Sequence, residues 1–216
     1  VDVKAPPGLH RTAWDLRHDR APGVMDADEG WFGVPAGPWV LPGRYTVTLT
    51  ARGKQLSQPV DVTADTRVEI AAGAPQARHE ASVRLAALQK SFNDGVELHK
   101  RMAAERTRLE TALASTPSRR DSLAPLMGQV RHGLDSLRSR FGADFGGPKF
   151  GLLDLDGSMQ ASSTAPTVAQ QRALEQLAAK LREDLTALNA FLAGAFADLQ
   201  RRAAGAGVTL APVPVP

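Results

Sequence analysis

The chain contains no cysteine. That single absence excludes disulfide staples, thiolate metal sites and a cysteine nucleophile. Aromatic residues are scarce, at 5% of the sequence with one tyrosine and three tryptophans, so each tryptophan invites an explanation. No apolar run approaches the ~18 residues of a membrane-crossing helix, and no membrane span is expected. A basic stretch followed by an apolar one is also missing from the start, so the chain shows no signal peptide of its own. Its first residue is Val1 rather than Met, which reads as a processed or excised piece of something longer. Charge of one sign is lacking too: 26 Lys and Arg face 23 Asp and Glu, for a net charge of +3. The two signs are interleaved along the later part of the chain, as on a solvated helix face, and no nucleic-acid partner is expected.

What is present divides near Ala71-Ala72-Gly73-Ala74-Pro75. Before this point Gly, Pro, Thr and Val dominate and the patterns alternate; after it Ala, Leu, Arg, Glu and Gln recur with a period near 3.5. The expected fold class is therefore α+β. A small immunoglobulin-like β-sandwich occupies residues 1–72, and a long antiparallel three-helix bundle or coiled coil occupies residues 75–204.

In the first module, Tyr45, Val47 and Leu49 alternate with Thr46, Thr48 and Thr50, the mark of a strand with one wet face. Pro42-Gly43 suits a type II turn before it, and Arg52-Gly53-Lys54 reads as a hairpin turn. In the returning strand Leu56, Val60 and Val62 alternate with Ser57, Pro59 and Asp61, and Pro59 puts that strand at an edge or a bulge. Val68 and Ile70 form one more short apolar pair. The opening string Gly8-Leu9-His10-Arg11-Thr12-Ala13-Trp14-Asp15-Leu16-Arg17 fits the same logic. Thr12, Trp14 and Leu16 share one face of an extended segment, from which Trp14 covers Tyr45 and Val47 as part of the core.

In the second module, helices are expected at about 75–114, 118–141 and 168–204. The first carries Leu85, Leu88, Phe92, Met102, Leu109 and Leu113, with a seam interrupted by Gly95, His99 and Arg106. The second carries Leu123, Met127, Val130, Leu134, Leu137 and Phe141, and the third a leucine stripe from Leu174 to Leu199. Thr167 with Gln170 forms a capping box ahead of the third helix. Gly142 to Pro166 reads as a connection, and residues 205–216 as a Pro-rich tail, extended or adding an edge strand.

Reactive chemistry finds little footing. The five histidines, His10, His18, His79, His99 and His132, form neither H-x-H nor H-E-x-x-H spacing. Asp154-Leu155-Asp156-Gly157-Ser158 resembles the front of a calcium loop, but its glycine comes too early and Ala165 stands at position 12. G-x-S-x-G, P-loop and G-x-G-x-x-G motifs are absent, so no catalytic residues, metal ligands or cofactors are assigned. Trp31, Phe32 and Trp39 remain as candidate ligand-binding aromatics, suited to stacking on a sugar face.

The pattern Gly8-Leu9-His10-Arg11-x-x-Trp14-Asp15-Leu16-Arg17 is followed by Gly37-Pro38-x-Val40-x-Pro42-Gly43-x-Tyr45-x-Val47. Then come Gly53-Lys54, Gln58-Pro59-x-x-Val62 and Asp65-x-Arg67. Together they resemble the C-terminal region of bacterial exported sortilin-like or BNR-repeat β-propeller proteins, often labelled glycosyl-hydrolase-like. The β-part is also similar to the small immunoglobulin-like domain of flagellar hook-capping proteins. Pro166-Thr167 and Asn189 match the family's helical region more loosely, and His18 stands where the family commonly has an aromatic. The resemblance implies a periplasmic or extracellular protein whose propeller portion lies outside this chain. The function expected on that basis is a non-catalytic accessory module, bracing the propeller or mediating protein contacts. The alternatives are a carbohydrate-binding module on Trp31, Phe32 and Trp39, or part of a glycoside hydrolase whose active site lies in the propeller. The partners expected are the propeller portion and possible further proteins or glycans.

Overall fold

A computed structural model describes residues 8–20, 37–51, 53–141 and 148–213. Two strands, β1 (Gly43–Ala51) and β2 (Lys54–Val62), are followed by α1 (Ala74–Leu113), α2 (Pro117–Phe141), α3 (Pro148–Gln160) and α4 (Val168–Phe191). The last helix continues through a π-helical turn, Leu192–Phe196, into α5 (Ala197–Gly205).

The helices form because each carries an apolar stripe that another can cover. Helix α1 is 40 residues long, and its stripe buries Leu85, Phe92, Leu98, Met102, Leu109 and Leu113. A turn at Ala114–Thr116 sends α2 back along the C-terminal half of α1. The interruptions in the α1 seam now have reasons: Gly95 receives the Phe141 ring, and His99 donates through Nε2 to the Leu134 carbonyl at 2.9 Å. Helix α2 therefore ends beside Gly95, and the N-terminal half of α1 needs another cover. Helix α3 supplies it, also antiparallel: Leu152 lies beside Gln89 and Phe92, and Arg78 reaches the Ser162 carbonyl just past its end.

Helix α4 runs alongside α1 in the same direction. Arg84 pairs with Glu175, and Leu185 lies against Gly95. Thr167 starts α4, its Oγ1 accepting from the Gln170 N–H at 3.2 Å while the Gln170 side chain accepts from the Thr167 N–H at 2.9 Å. Such a cap contributes about 1 kcal/mol. Across α4 and α2, Asp184 is only 1% exposed, yet it accepts from Arg140 at 2.9 Å and Lys180 at 2.8 Å. Two cations on one carboxylate offset the cost of burying it. Leu210, beyond α5, is buried, and the Ala211 N–H donates to Glu105 of α1, so the start of the tail lies along the helices rather than in a sheet.

Several expectations are corrected here. The immunoglobulin-like β-sandwich is replaced by one two-stranded antiparallel hairpin, in register from Gly43↔Val62 to Ala51↔Lys54. No second sheet faces it among the described residues. The alternation at Tyr45–Thr50 specifies a strand with an apolar face but not what covers that face. The opening string is not a strand, because Leu16 sits in the left-handed region at φ 61 and breaks the extension; only a single bridge, Arg17↔Trp39, forms. Gly43 pairs with Val62 as the first residue of β1 and is not left-handed, so it is not the turn glycine. The antiparallel three-helix bundle is also corrected, since α3 makes a fourth helix inside the expected connection and α1 and α4 run parallel. Gly151 and Gly157 weaken the helical propensity of that stretch. The Leu152, Leu155 and Met159 stripe, all buried, overrides them by packing into the core. The same helix contains Asp154–Ser158, which is therefore not a loop.

Packing at Gly95 sets a clear test. A methyl group there would collide with the buried Phe141 ring and press on Leu185, whereas one at Gly128 meets nothing within 4 Å. Gly95→Ala is expected to lose roughly 1–3 kcal/mol through overpacking. Gly128→Ala is expected to gain about 0.5–1 kcal/mol from helix propensity. Urea unfolding followed by circular dichroism checks both, and effects of equal sign would contradict the packing described.

Candidate functional site

The most elaborate polar arrangement lies where the hairpin meets the bundle. It begins with a local turn. The Arg17 N–H donates to Asp15 Oδ1 at 3.1 Å, and Trp14 Nε1 donates to the Arg17 carbonyl at 3.0 Å. With Leu16 left-handed, the chain reverses and the Arg17 side chain is directed into the structure. Its guanidinium lies 3.6 Å above the Trp39 ring, donates to the Gly37 carbonyl at 2.8 Å, and donates again to Gln160 at the end of α3.

Backbone pairing locks the two segments together. The His18 N–H donates to the Pro38 carbonyl at 2.8 Å, and the Val40 N–H donates to the Leu16 carbonyl at 2.9 Å. Gly37 lies flush against the His18 carbonyl, leaving no room for any Cβ. The Trp39 carbonyl then accepts from His79 Nδ1 of α1 at 2.9 Å, and the His18 ring lies 5.2 Å from that of His79. On the hairpin side, Trp14 meets Tyr45 edge-on at 5.3 Å, and the Tyr45 hydroxyl donates to the Leu41 carbonyl at 2.7 Å. Neither strand packs broadly on a helix, so this clasp is what holds the hairpin to the bundle.

The electrostatics of the junction are uneven. Burial, assisted by repulsion from Arg17, pulls the Arg78 guanidinium below its ordinary range. Burial pushes the Asp156 carboxyl above its ordinary range, against the opposing influence of its hydrogen bond from Gln160 and of the Arg17 charge. Beneath the hairpin root lies a cavity of about 290 Å³, bordered by Leu16, Trp39, Val62 and Ile70 and by Arg78 and His79.

Of the three aromatics singled out from the sequence, Trp39 belongs to this clasp. It is half-buried, with the Arg17 guanidinium over its ring and His79 on its carbonyl. Trp31 and Phe32 lie outside the described residues. The sequence marks Arg17 only as part of the opening string and His79 only as a histidine without metal-ligand spacing, and it gives Arg78 no role. The adjacent Arg78-His79 pair was visible, but nothing local joins it to a tryptophan forty positions earlier. Among the described residues, no three His, Asp or Glu side chains group as metal ligands, and no helix is long and apolar enough to cross a membrane. Comparison with protein-family models, curated proteins and solved structures finds no match to this chain.

Asp156 yields a pH-dependent expectation. A carboxyl whose folded pKa is raised stabilises the fold below its unfolded pKa and loses that contribution as pH rises through the folded value. Asp156→Asn removes the disfavoured charge, so it should raise the urea midpoint at pH 7. That gain should shrink toward zero below about pH 3.9, where the unfolded carboxyl is also protonated. Urea titrations at both pH values decide it, and a gain independent of pH would show that the charge is not its source.

Proposed function

We propose that this chain is a non-catalytic accessory and interaction module of a larger exported β-propeller protein, bracing the propeller or mediating protein contacts through its hairpin. The observation that carries the interaction is the hairpin's uncovered apolar face. Tyr45, Val47, Leu49, Leu56 and Val60 share one side of the sheet with Gln58; Trp14 meets Tyr45 at the root, while Val47, Leu49 and Leu56 toward the tip are 54%, 61% and 69% exposed. The other side carries Thr46, Thr48, Thr50 and Ser57, with a Thr48–Ser57 hydroxyl contact of 3.1 Å and the Arg44–Asp61 ion pair.

A lone two-stranded hairpin is at best marginally stable in water. An exposed, contiguous apolar face rimmed by polar residues is characteristic of an interaction site. The choice of a propeller as parent, and of the periplasm or extracellular space as location, rests on the resemblance of residues 8–67. The helical bundle, with its own buried seam, supplies a rigid base for the hairpin.

The open reading frame upstream of Val1 is expected to encode propeller repeats. Produced separately, that propeller portion should bind this chain in isothermal titration calorimetry. The paired change Leu49→Asp and Leu56→Asp should weaken binding by roughly 10- to 100-fold while the helical circular dichroism signal is retained. Absence of repeats upstream, absence of association, or glycoside hydrolysis by this chain above background would each overturn the proposal.

A further inference from the structure

The cavity beneath the hairpin root is separate from the exposed hairpin face and has a different chemistry. Its volume of about 290 Å³ is at the small end for a small-molecule site. Leu16, Leu41, Val62 and Ile70, from the opening segment, the hairpin root and the approach to α1, make its walls mainly apolar. Arg78 and His79, from the first turns of α1, are polar residues in that lining, and both are half-buried.

Arg78 uses one guanidinium nitrogen to donate to the Ser162 carbonyl. A guanidinium has five N–H groups, and no carboxylate among the described residues forms an ion pair with Arg78. Arg17 stands close enough to repel it, and the partners of Arg17 are likewise a backbone carbonyl, an amide oxygen and an indole ring. Two arginines are thus gathered at one junction with neither in an ion pair; Asp156 lies close enough to feel the Arg17 charge, but its hydrogen bond comes from Gln160. Asp65 borders the same cavity, but Arg67 holds both of its carboxylate oxygens, at 2.9 Å and 2.7 Å. A half-buried guanidinium without a counter-charge is costly, and an anion completes it through paired, charge-assisted hydrogen bonds.

We infer that this cavity is a binding site for a small monocarboxylate with a compact apolar body, its carboxylate held by Arg78 and its body against Leu16, Val62 and Ile70. Trp39 forms one wall, its ring kept in place by Arg17. The apolar lining favours such an acid over a bare inorganic anion, and Arg78 favours it over a neutral molecule of the same shape. The inference stands apart from the hairpin's proposed partner, since Leu49 and Leu56 do not border the cavity.

The probe is 3-phenylpropionate, titrated into the full chain and followed by calorimetry and by tryptophan fluorescence. Binding should be detectable at about 1 mM ligand, and neither 3-phenylpropanol nor inorganic phosphate should match it. Arg78→Gln should weaken it at least about tenfold. Ile70→Trp, which fills the cavity and leaves Arg78 in place, should do the same. Arg84→Gln, which removes a guanidinium paired with Glu175 elsewhere on α1, should leave binding unchanged. Thermal unfolding separates a lost site from a lost fold in each variant. No binding of the acid, equal binding of acid and alcohol, or binding indifferent to both Arg78→Gln and Ile70→Trp would overturn the inference.

Discussion

Covering the leucine seam of α1 is the constraint from which the rest of the bundle follows. Forty helical residues extend about 60 Å, and a seam of that length is stable in water only when packed against other helices. Helix α2, 25 residues and about 38 Å long, runs back along the C-terminal half of α1 and stops where Phe141 meets Gly95. The 13 residues of α3 add about 20 Å, so α2 and α3, end to end, nearly match the length of α1. Helix α4 and its continuation through the π-helical turn into α5 then lie on the remaining side. The bundle is three helices thick in section and four helices long in connectivity, because one helix is too short to do the work of α3 as well.

The hairpin obeys a different rule. It sits outside the leucine core and is fastened by polar and aromatic contacts: Arg17 between Trp39, Gly37 and Gln160, and His79 beneath the Trp39 carbonyl. Such contacts fix orientation with little burial of apolar area. The hairpin's own apolar face is left open, and a cavity remains beneath its root. The two features proposed to carry function therefore share one cause, a β-element anchored by its stem and not by its face. The same anchoring draws Arg17 and Arg78 toward one another, so that each guanidinium stands near the other without an ion pair of its own.

Much of this was legible locally, and where it was not the reasons are physical. The stripes Leu123-Val130-Leu134-Leu137-Phe141 and Leu174-Leu181-Leu188 lie in the core at the spacing they have in the chain. The Thr167–Gln170 cap spans only three residues and could be read without knowing any partner. Helix α3 was obscured because Gly151 and Gly157 lower its intrinsic propensity, and its stability comes from α1 and α4. Gly95 and His99 looked like flaws in a seam until Phe141 and the Leu134 carbonyl stood opposite them. In the site, Trp14, Arg17 and Trp39 drew notice, but as strand residues and as a sugar platform. Their clasp depends on Leu16 adopting a left-handed backbone, which no alternation pattern announces.

Period and capping by themselves determined α1, α2, α4 and the two strands of the hairpin, since those preferences depend on neighbours within one or two turns, but not α3. Alternation likewise determined that β1 and β2 would each have an apolar side. Only the tertiary structure decided that this side stays open, that α4 runs parallel to α1, and that Arg17, Trp39, Arg78 and His79 meet. Those outcomes depend on which surfaces compete for one another across tens of residues. A hydrophobic pattern records that a face seeks burial, and only the assembled fold records whether anything covers it.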